Sequence, residues 1–325
     1  MLVHLRLTVP DDLTERVSEL LIRHECTTNV TIQPGVFSKP AGDLVECDVA
    51  REEAGSLLRM LEDLELDERG AIVIETPTGT PFREARRLER VAPGHPDDAV
   101  IWEEVEAQAY AGAVATVSYL IFLVLAVILA AIAVLTDSAI LVVGAMVVGP
   151  EFAAVAAASA GIVLLRWRLV GRSLRLLGTS FPFAVGVVTV LALLCRVVGW
   201  ITPEMVAASR PNTDFIWHPQ QWSLIVALVA GAAGALALAI QKTATMVGVF
   251  ISVTTVPAAG NLALGLAVWN PEEIRGSLAQ LGINIAGMII SGTVLLLVVR
   301  TSWPWIMTHT ERLLGQRPWR VSEEA

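Results

Sequence analysis

A carboxylate interrupts one of the long apolar stretches of this sequence, where Glu151 directly follows the pair Gly149-Pro150. A carboxylate at mid-span is expensive, roughly 2.5–3.5 kcal/mol on insertion scales for an Asp at a helix centre, so the side chain should face a polar interior. This position predicts a proton carrier or a ligand of a cation. A structural ion pair with an arginine or lysine, or a place nearer the aqueous edge, would account for Glu151 equally well.

Hydroxyl and amide side chains surround Pro257 in another long apolar stretch, and Asn284 lies in a further one. Such groups can coordinate an ion or hydrogen-bond a small solute, although serine and threonine also serve helix packing in membranes. With the first stretch, they predict a substrate or ion path that comprises Gly149, Pro150, Glu151, Ser252, Thr254, Thr255, Pro257, Asn261 and Asn284.

Composition divides the 325 residues into two parts. Apolar residues make up 54% of the chain and charged residues 17%, and the mean hydropathy is +0.62, values that no soluble domain of this size shows. Residues 1–110 carry 11 Lys/Arg against 23 Asp/Glu, whereas residues 111–325 carry 12 against 9. We therefore expect an acidic soluble domain followed by a membrane domain. Without a basic face, nucleic acid is not expected as a partner.

The pattern of apolar residues over 1–80 predicts a small α+β domain of the ferredoxin-like class. Its order is βαββαβ, with two helices on one face of a four-stranded antiparallel sheet. The predicted strands and helices are 2–9, 11–24, 27–37, 43–50, 51–66 and 71–75. Such a domain resembles small regulatory modules, but a packing or oligomerisation module without a ligand fits the sequence as well.

Six apolar stretches beyond residue 112 are long enough to cross a bilayer as helices. They are 114–135, 138–164, 177–199, 222–240, 243–268 and 279–299, within a membrane domain at 112–300. An amphipathic connector at 81–111 precedes them, and a tail at 301–325 follows. Most basic residues lie after the second, fourth and sixth stretches, whereas the opposite loops carry only Arg210 and Arg275. The positive-inside rule therefore predicts an inner-membrane protein with both termini in the cytoplasm.

An internal repeat relates the two halves of the membrane domain. The second and fifth stretches are each interrupted by a proline, Pro150 and Pro257, and the segments 171–178 and 275–282 share Ser, Leu, Leu and Gly in register. Each half crosses the membrane three times, so the second half must be inverted relative to the first. Inverted repeats with proline-broken spans are a sequence signature of transporters with a site near the midplane, although many membrane prolines only kink a helix.

Signs of an enzyme are few. The five histidines are scattered without metal-ligand spacing, and the sequence has neither a G-x-S-x-G motif nor a phosphate-binding loop. We expect neither an enzyme nor a cofactor. The three cysteines, Cys26, Cys47 and Cys195, are far apart, which excludes a full disulfide framework and fits a reducing compartment for the soluble part.

Three segments carry a resemblance to a known family, at 137–150, 248–257 and 276–284. Together they resemble an uncharacterised hydrophobic-domain family of prokaryotic membrane proteins, known as a domain of unknown function, over roughly residues 112–300. Family members have Gly-Pro or a double proline in these patches, where this chain has Ala153-Ala154 and Ala258. The resemblance implies the membrane topology and brings no substrate.

The sequence thus favours a transporter or channel-like protein that moves a small solute or ion between two inverted repeats, with the cytoplasmic domain regulating or assembling it. The alternative is a sensor or scaffold, in which the soluble domain binds a small ligand or partner and the membrane domain only anchors it. The lipid bilayer is the expected surrounding. Small-residue faces at Gly231 and Gly234 also favour a homo-oligomer.

Overall fold

The computed structural model describes residues 2–92, 99–218, 220–241 and 254–314, with side chains up to residue 302. The chain divides into two compact units. Residues up to Glu103 form most of the first, and Glu104–Arg300 form the second. The first contains a small antiparallel sheet, and the second is helical. The predicted class, a mostly helical chain with apolar helices and a small N-terminal sheet, is confirmed at this level.

The first unit contains a four-stranded sheet in the order β2-β3-β1-β4, in which every pairing is antiparallel. Alternation sets its faces, since Leu5 and Leu7 are buried while Arg6 between them is exposed. The elements are β1 (Leu2–Val9), α1 (Thr14–Arg23), β2 (Thr27–Ser38), β3 (Ala41–Ala50), α2 (Arg51–Glu62), α3 (Leu66–Arg69), β4 (Ala71–Glu75) and α4 (Arg83–Val91).

Helices α1 and α2 bury their apolar stripes against this sheet. Val17 and Leu21 of α1 lie one turn apart and share a core with Leu57 and Leu61 of α2. The helix predicted over 51–66 ends earlier, at Glu62, and α3 follows as a separate turn. The left-handed backbone of Glu65 separates them, with φ at 58°.

The second unit contains four helices that are long and apolar enough to cross a membrane. Its elements are α5 (Trp102–Gly112), α6 (Val117–Leu135), α7 (Ala139–Val148), α8 (Glu151–Val163), α9 (Trp167–Val197), α10 (Pro203–Ala207), a 3-10 turn (Asp214–Ile216), α11 (Gln221–Ala239), α12 (Thr255–Val268) and α13 (Pro271–Leu314). The four are α6, α9, α11 and the part of α13 up to Ser302.

The stretch predicted as the second span consists of two helices. Helices α7 and α8 meet at a bend of 55°, and they would make a fifth span if taken as one. The predicted fifth span is described only from residue 254 onward, where α12 has 14 residues. Four or five candidate spans are therefore present in the described parts of the chain, and six spans stay a prediction.

Helix α12 is the core of the second unit. Twelve of its 14 residues are buried, and it packs against α6, α7 and α9. A Cβ added at Gly260 would lie 2.6 Å from Cβ of Ala130, so this glycine allows α12 to approach α6 closely. The small residue Gly231 of α11 likewise lies against Met288 of α13.

Candidate functional site

The break between α7 and α8 places a carboxylate inside the helical unit. Gly149 ends α7 and Pro150 is the N-cap residue of α8, so Glu151 is the first residue of α8. The Glu151 side chain is 7% exposed, and its Oε1 atom accepts a hydrogen bond of 2.6 Å from the Thr255 hydroxyl group. Its Oε2 atom is buried without a hydrogen-bond partner in the described parts of the chain.

Pro257 differs from Pro150 in its position. It is the third residue of α12, and the first N–H groups of a helix have no intrahelical acceptor. A proline there removes no helical hydrogen bond. Helix α12 begins at Thr255, two residues before Pro257, and residues 242–253 lie outside the described residues, so a break of the fifth stretch at Pro257 stays a prediction. Ser252 lies outside the described residues.

Thr254 connects the start of α12 to α13. Its hydroxyl oxygen accepts hydrogen bonds of 2.9 Å from the side-chain amides of Gln280 and Asn284. Thr254 and Asn284 also line a pocket of about 220 Å³ whose rim includes Phe215 and Trp222. The lining thus combines aromatic and apolar side chains with hydroxyl and amide groups, as small-molecule sites do.

Asn261 lies farther along α12 and belongs to a second polar cluster. At 1.5 Å per residue it is roughly 9 Å from Thr255 along the helix axis. Its Oδ1 atom accepts a hydrogen bond of 3.1 Å from Arg210, and its side-chain amide donates to Ser277 at 3.0 Å. Arg210 also donates to Glu273 at 2.6 Å, and both side chains of this ion pair are almost fully buried.

Two further hydroxyl groups lie near Glu151. Tyr119 of α6 and Ser180 of α9 are 8% and 1% exposed, and their oxygen atoms have no hydrogen-bond partner among the residues with described side chains. The Ser180 hydroxyl group is close to that of Tyr119, and the charge of Glu151 reaches Tyr119 at longer range, so we group the three together. Oε2 of Glu151 and the hydroxyl oxygens of Tyr119 and Ser180 are not paired with an arginine or lysine in the described parts of the chain.

Asp137, between α6 and α7, anchors the loop that follows α10. Its carboxylate accepts hydrogen bonds from the side chains of Asn212 and Thr213, both at 2.9 Å. Burial raises the pKa of Asp137, but the hydrogen bonds from Thr213 and Asn212 outweigh it and hold the pKa below its usual value. This is a structural role for Asp137. Lys242, at the other predicted span boundary, lies outside the described residues.

The predicted site residues with polar side chains thus form two direct contacts, and one residue lies apart from both. Glu151 and Thr255 are joined directly, Thr254 and Asn284 are joined directly, and Asn261 is separate. Sequence reasoning missed Arg210, which it counted only as a loop charge, and also missed Tyr119 and Ser180. One signal was available for α13, where polar residues recur at helical spacing on a single buried face, at Glu273, Ser277, Gln280 and Asn284.

This arrangement can bind and release a proton or a small ion without covalent chemistry. The described residues contain no group of three or more His, Cys, Asp or Glu side chains that could hold a metal ion. The clusters offer the Glu151 carboxylate, the ion pair of Arg210 and Glu273, several hydroxyl groups and amide side chains inside an apolar helical unit. Such intramembrane polar groups mark ion and substrate pathways in membrane proteins.

The fold and these buried clusters define a polytopic helical protein whose apolar helices suit a membrane. Residues 146–290 match the family model described as a domain of unknown function, DUF389. This match confirms the predicted resemblance to an uncharacterised domain family. The match covers α8 to α12 entirely and parts of α7 and α13, and it brings no activity with it. Neither a curated protein nor a solved structure matched the chain.

Proposed function

We propose that the helical unit moves a small solute or ion across the membrane along a path that passes Glu151 and Thr255. The contact between these two residues carries the proposal. It joins the start of α8 to the start of α12 over 104 positions of sequence, and one carboxylate oxygen is left without a partner among the described residues. Unlike the Glu273 carboxylate, which is paired with Arg210, the Glu151 carboxylate has no cationic partner among the described residues.

A pocket beside the contact supports the proposed path. The pocket of about 220 Å³ is lined by Thr254, the residue next to Thr255, together with Phe215 and Trp222. We propose that solute reaches the Glu151–Thr255 contact from this pocket. The proposed three-plus-three inverted repeat fits this view, because the proline-containing segments of the two halves meet at the Glu151–Thr255 contact.

The membrane placement belongs to the same proposal. The six apolar stretches favour six spans, and the distribution of basic residues favours an inner-membrane location with cytoplasmic termini. The ferredoxin-like arrangement of the first unit fits a regulatory or assembly role, and we propose that it modulates the helical unit. Assembly into a homo-oligomer is part of this proposal.

A second candidate function rests on the first unit. A pocket of about 490 Å³ lies between α1 and α2, with Arg16, Arg23 and His24 beside the apolar side chains of Leu20 and Met60. Glu19 also lines the pocket and pairs with Arg23 at 3.2 Å, so Arg16 is the side chain there that favours a small ligand with an acidic group. In this case the protein would be a sensor or scaffold, and the helical unit would anchor it without conducting.

Solid-supported membrane electrophysiology separates the two. The full chain in liposomes is challenged with gradients of proton, sodium, potassium, chloride and a small carboxylate. Glu151→Gln is measured beside Glu272→Gln, which removes an exposed carboxylate at the start of α13. We expect a current that Glu151→Gln changes and Glu272→Gln leaves unchanged. A current insensitive to Glu151→Gln would discard the site, and silence throughout would favour the sensor.

A further inference from the structure

Two helix starts meet at the Glu151 carboxylate. Helices α8 and α12 begin at Glu151 and Thr255, and neither N-cap residue, Pro150 or Thr254, caps its helix with a side chain. Thr254 uses its hydroxyl oxygen for the amides of α13 instead. The start of a helix carries a partial positive charge and N–H groups without an intrahelical acceptor, so it favours negative charge.

The start of α12 is fully buried, which makes its donors expensive to leave unmet. Thr255, Val256 and Pro257 are all buried, and Pro257 has no N–H group. The backbone N–H groups of Thr255 and Val256 remain as donors without an intrahelical acceptor. An anion at this point would satisfy them, whereas the Glu151 carboxylate bonds the hydroxyl group of Thr255 rather than these backbone groups.

The Glu151 carboxylate fills this position only in part. Oε1 holds the Thr255 hydroxyl group, whereas Oε2 lies against Gly149, where an added Cβ would come within 2.3 Å of it. The hydroxyl groups of Tyr119 and Ser180 stay without partners in the described parts of the chain. The surroundings therefore offer more hydrogen-bond donors than one carboxylate uses.

We infer that the starts of α8 and α12, with the hydroxyl groups of Thr255, Tyr119 and Ser180, form a binding site for a small monovalent anion, and that the Glu151 carboxylate competes with this anion for the site. The inference rests on the proposed function and names its substrate class. Hydroxyl and amide donors at two helix starts suit an anion the size of chloride, nitrate or formate. A cation would be repelled by the partial positive charge of both helix starts.

Competition makes anion transport depend on protonation of Glu151. An ionised Glu151 holds the site, whereas a protonated Glu151 has no charge with which to compete. Tyr119, from α6, is the other titratable group in this cluster among the described residues, and Thr255 and Ser180 contribute neutral hydroxyl groups. Anion current in the wild type should therefore rise as the solution is made more acidic.

Removing the carboxylate is the sharpest test. Anion competition predicts that the current rises in the Glu151 variants, whereas cation binding by Glu151 predicts that it falls. Wild type, Glu151→Gln and Glu151→Ala, with Glu272→Gln as control, are reconstituted as full chains and given chloride, nitrate and formate gradients over a range of pH. We expect several-fold larger anion currents in both Glu151 variants, and currents that no longer respond to pH. Smaller anion currents in these variants, or a proton or sodium current that they abolish, would overturn the inference while keeping transport.

A binding measurement separates the site from transport. Nitrate is titrated against the detergent-solubilised full chain, and its binding is followed by isothermal titration calorimetry. Tighter nitrate binding in Glu151→Ala than in the wild type, weakened again by Tyr119→Phe in that background, supports the site even if no variant carries current. Equal binding in wild type and both Glu151 variants contradicts it. Glu151→Gln keeps the shape of the side chain, so it answers the question if Glu151→Ala fails to fold.

Discussion

Arg210 donates a hydrogen bond from Nη2 to Oε1 of Glu273 at 2.6 Å, and the two side chains are only 5% and 2% exposed. The arginine comes from the loop after α10, and the glutamate from the first turn of α13. Arg210 also donates a hydrogen bond to Asn261. Glu273 Oε1 also accepts one from the side-chain amide of Asn270 at 3.4 Å. The ion pair thus ties a surface loop into the core around α12.

Arg210→Met should destabilise the helical unit strongly, because it leaves the Glu273 carboxylate buried without its cation. Breaking a buried ion pair on one side costs about 3–5 kcal/mol. The double variant Arg210→Met/Glu273→Met should recover most of the loss. Unfolding in mixed micelles, titrated with SDS, measures the free energy. Arg166→Ala is the control, since its pair with Glu106 is exposed and worth about 0–1 kcal/mol. Equal losses from Arg210→Met and Arg166→Ala would contradict the structure.

Gly149→Ala should disturb the carboxylate directly. The added Cβ would lie 2.3 Å from Glu151 Oε2 and 2.7 Å from Cγ2 of Val256, so one of them must move. Overpacking of this kind costs about 1–3 kcal/mol. Gly144→Ala is the matched control on α7, because nothing lies within 4 Å of its added Cβ. There the exchange should be neutral or gain about 0.5–1 kcal/mol from helix propensity. A Gly149→Ala protein as stable as Gly144→Ala would show that the carboxylate lies elsewhere.

Gly260→Ala should loosen the contact of α12 with α6. Its Cβ would meet Ala130 Cβ at 2.6 Å and the Ala131 backbone nitrogen at 2.7 Å, and backbone cannot swing aside as a side chain can. We expect a loss of about 1–3 kcal/mol in the same SDS titration. Gly178→Ala on α9, whose added Cβ meets nothing within 4 Å, should leave the midpoint unchanged. If both variants unfold at the wild-type midpoint, the close approach of α12 to α6 is refuted.

Glu52 predicts a pH dependence in the first unit. Burial, opposed by a backbone hydrogen bond, raises the pKa of Glu52 from 4.5 to about 7, and the charges of Glu89 and Glu53 add to the rise. A folded-state pKa above the unfolded value means that the stabilisation is complete below pH about 4.5 and is lost as the pH rises through about 7.

Glu52→Gln, which cannot ionise, should therefore protect α2 better than the wild type above neutral pH and equally well at acidic pH. Amide hydrogen exchange of residues 51–62 in the full chain measures this, with both proteins compared at each pH. Glu62→Gln, on the exposed end of the same helix, should exchange as the wild type does throughout. A difference between Glu52→Gln and wild type that does not grow with pH would argue against a buried carboxylate.

The local pattern of apolar and polar residues in the sequence predicted much of the fold. Alternation at Leu5, Arg6 and Leu7 placed β1, and its predicted bounds agree with Leu2–Val9. The long apolar runs located α6 and α11 within three residues at either end. Both signals depend only on neighbours in sequence, because one face of a strand or a whole span must leave water regardless of what it packs against.

Position within an element was harder to predict. Pro150 is the N-cap residue between two helices, whereas Pro257 lies in the first turn of α12 and the residues before Thr254 are not described. Helix α9 even continues through Pro182. Whether a proline breaks a helix depends on which groups nearby can satisfy the freed carbonyl, and these come from other segments.

By itself, the sequence determined that this chain has a small sheet domain and apolar helices, and it singled out Glu151 and Thr255 as polar residues within apolar stretches. Only the tertiary structure decided that these two residues are in contact and that Thr254 bonds Asn284. It also decided that Arg210, from a loop, pairs with Glu273. The reason is physical. Hydropathy records the cost of removing one residue from water, whereas a buried polar group is stabilised by partners that the fold brings from distant positions.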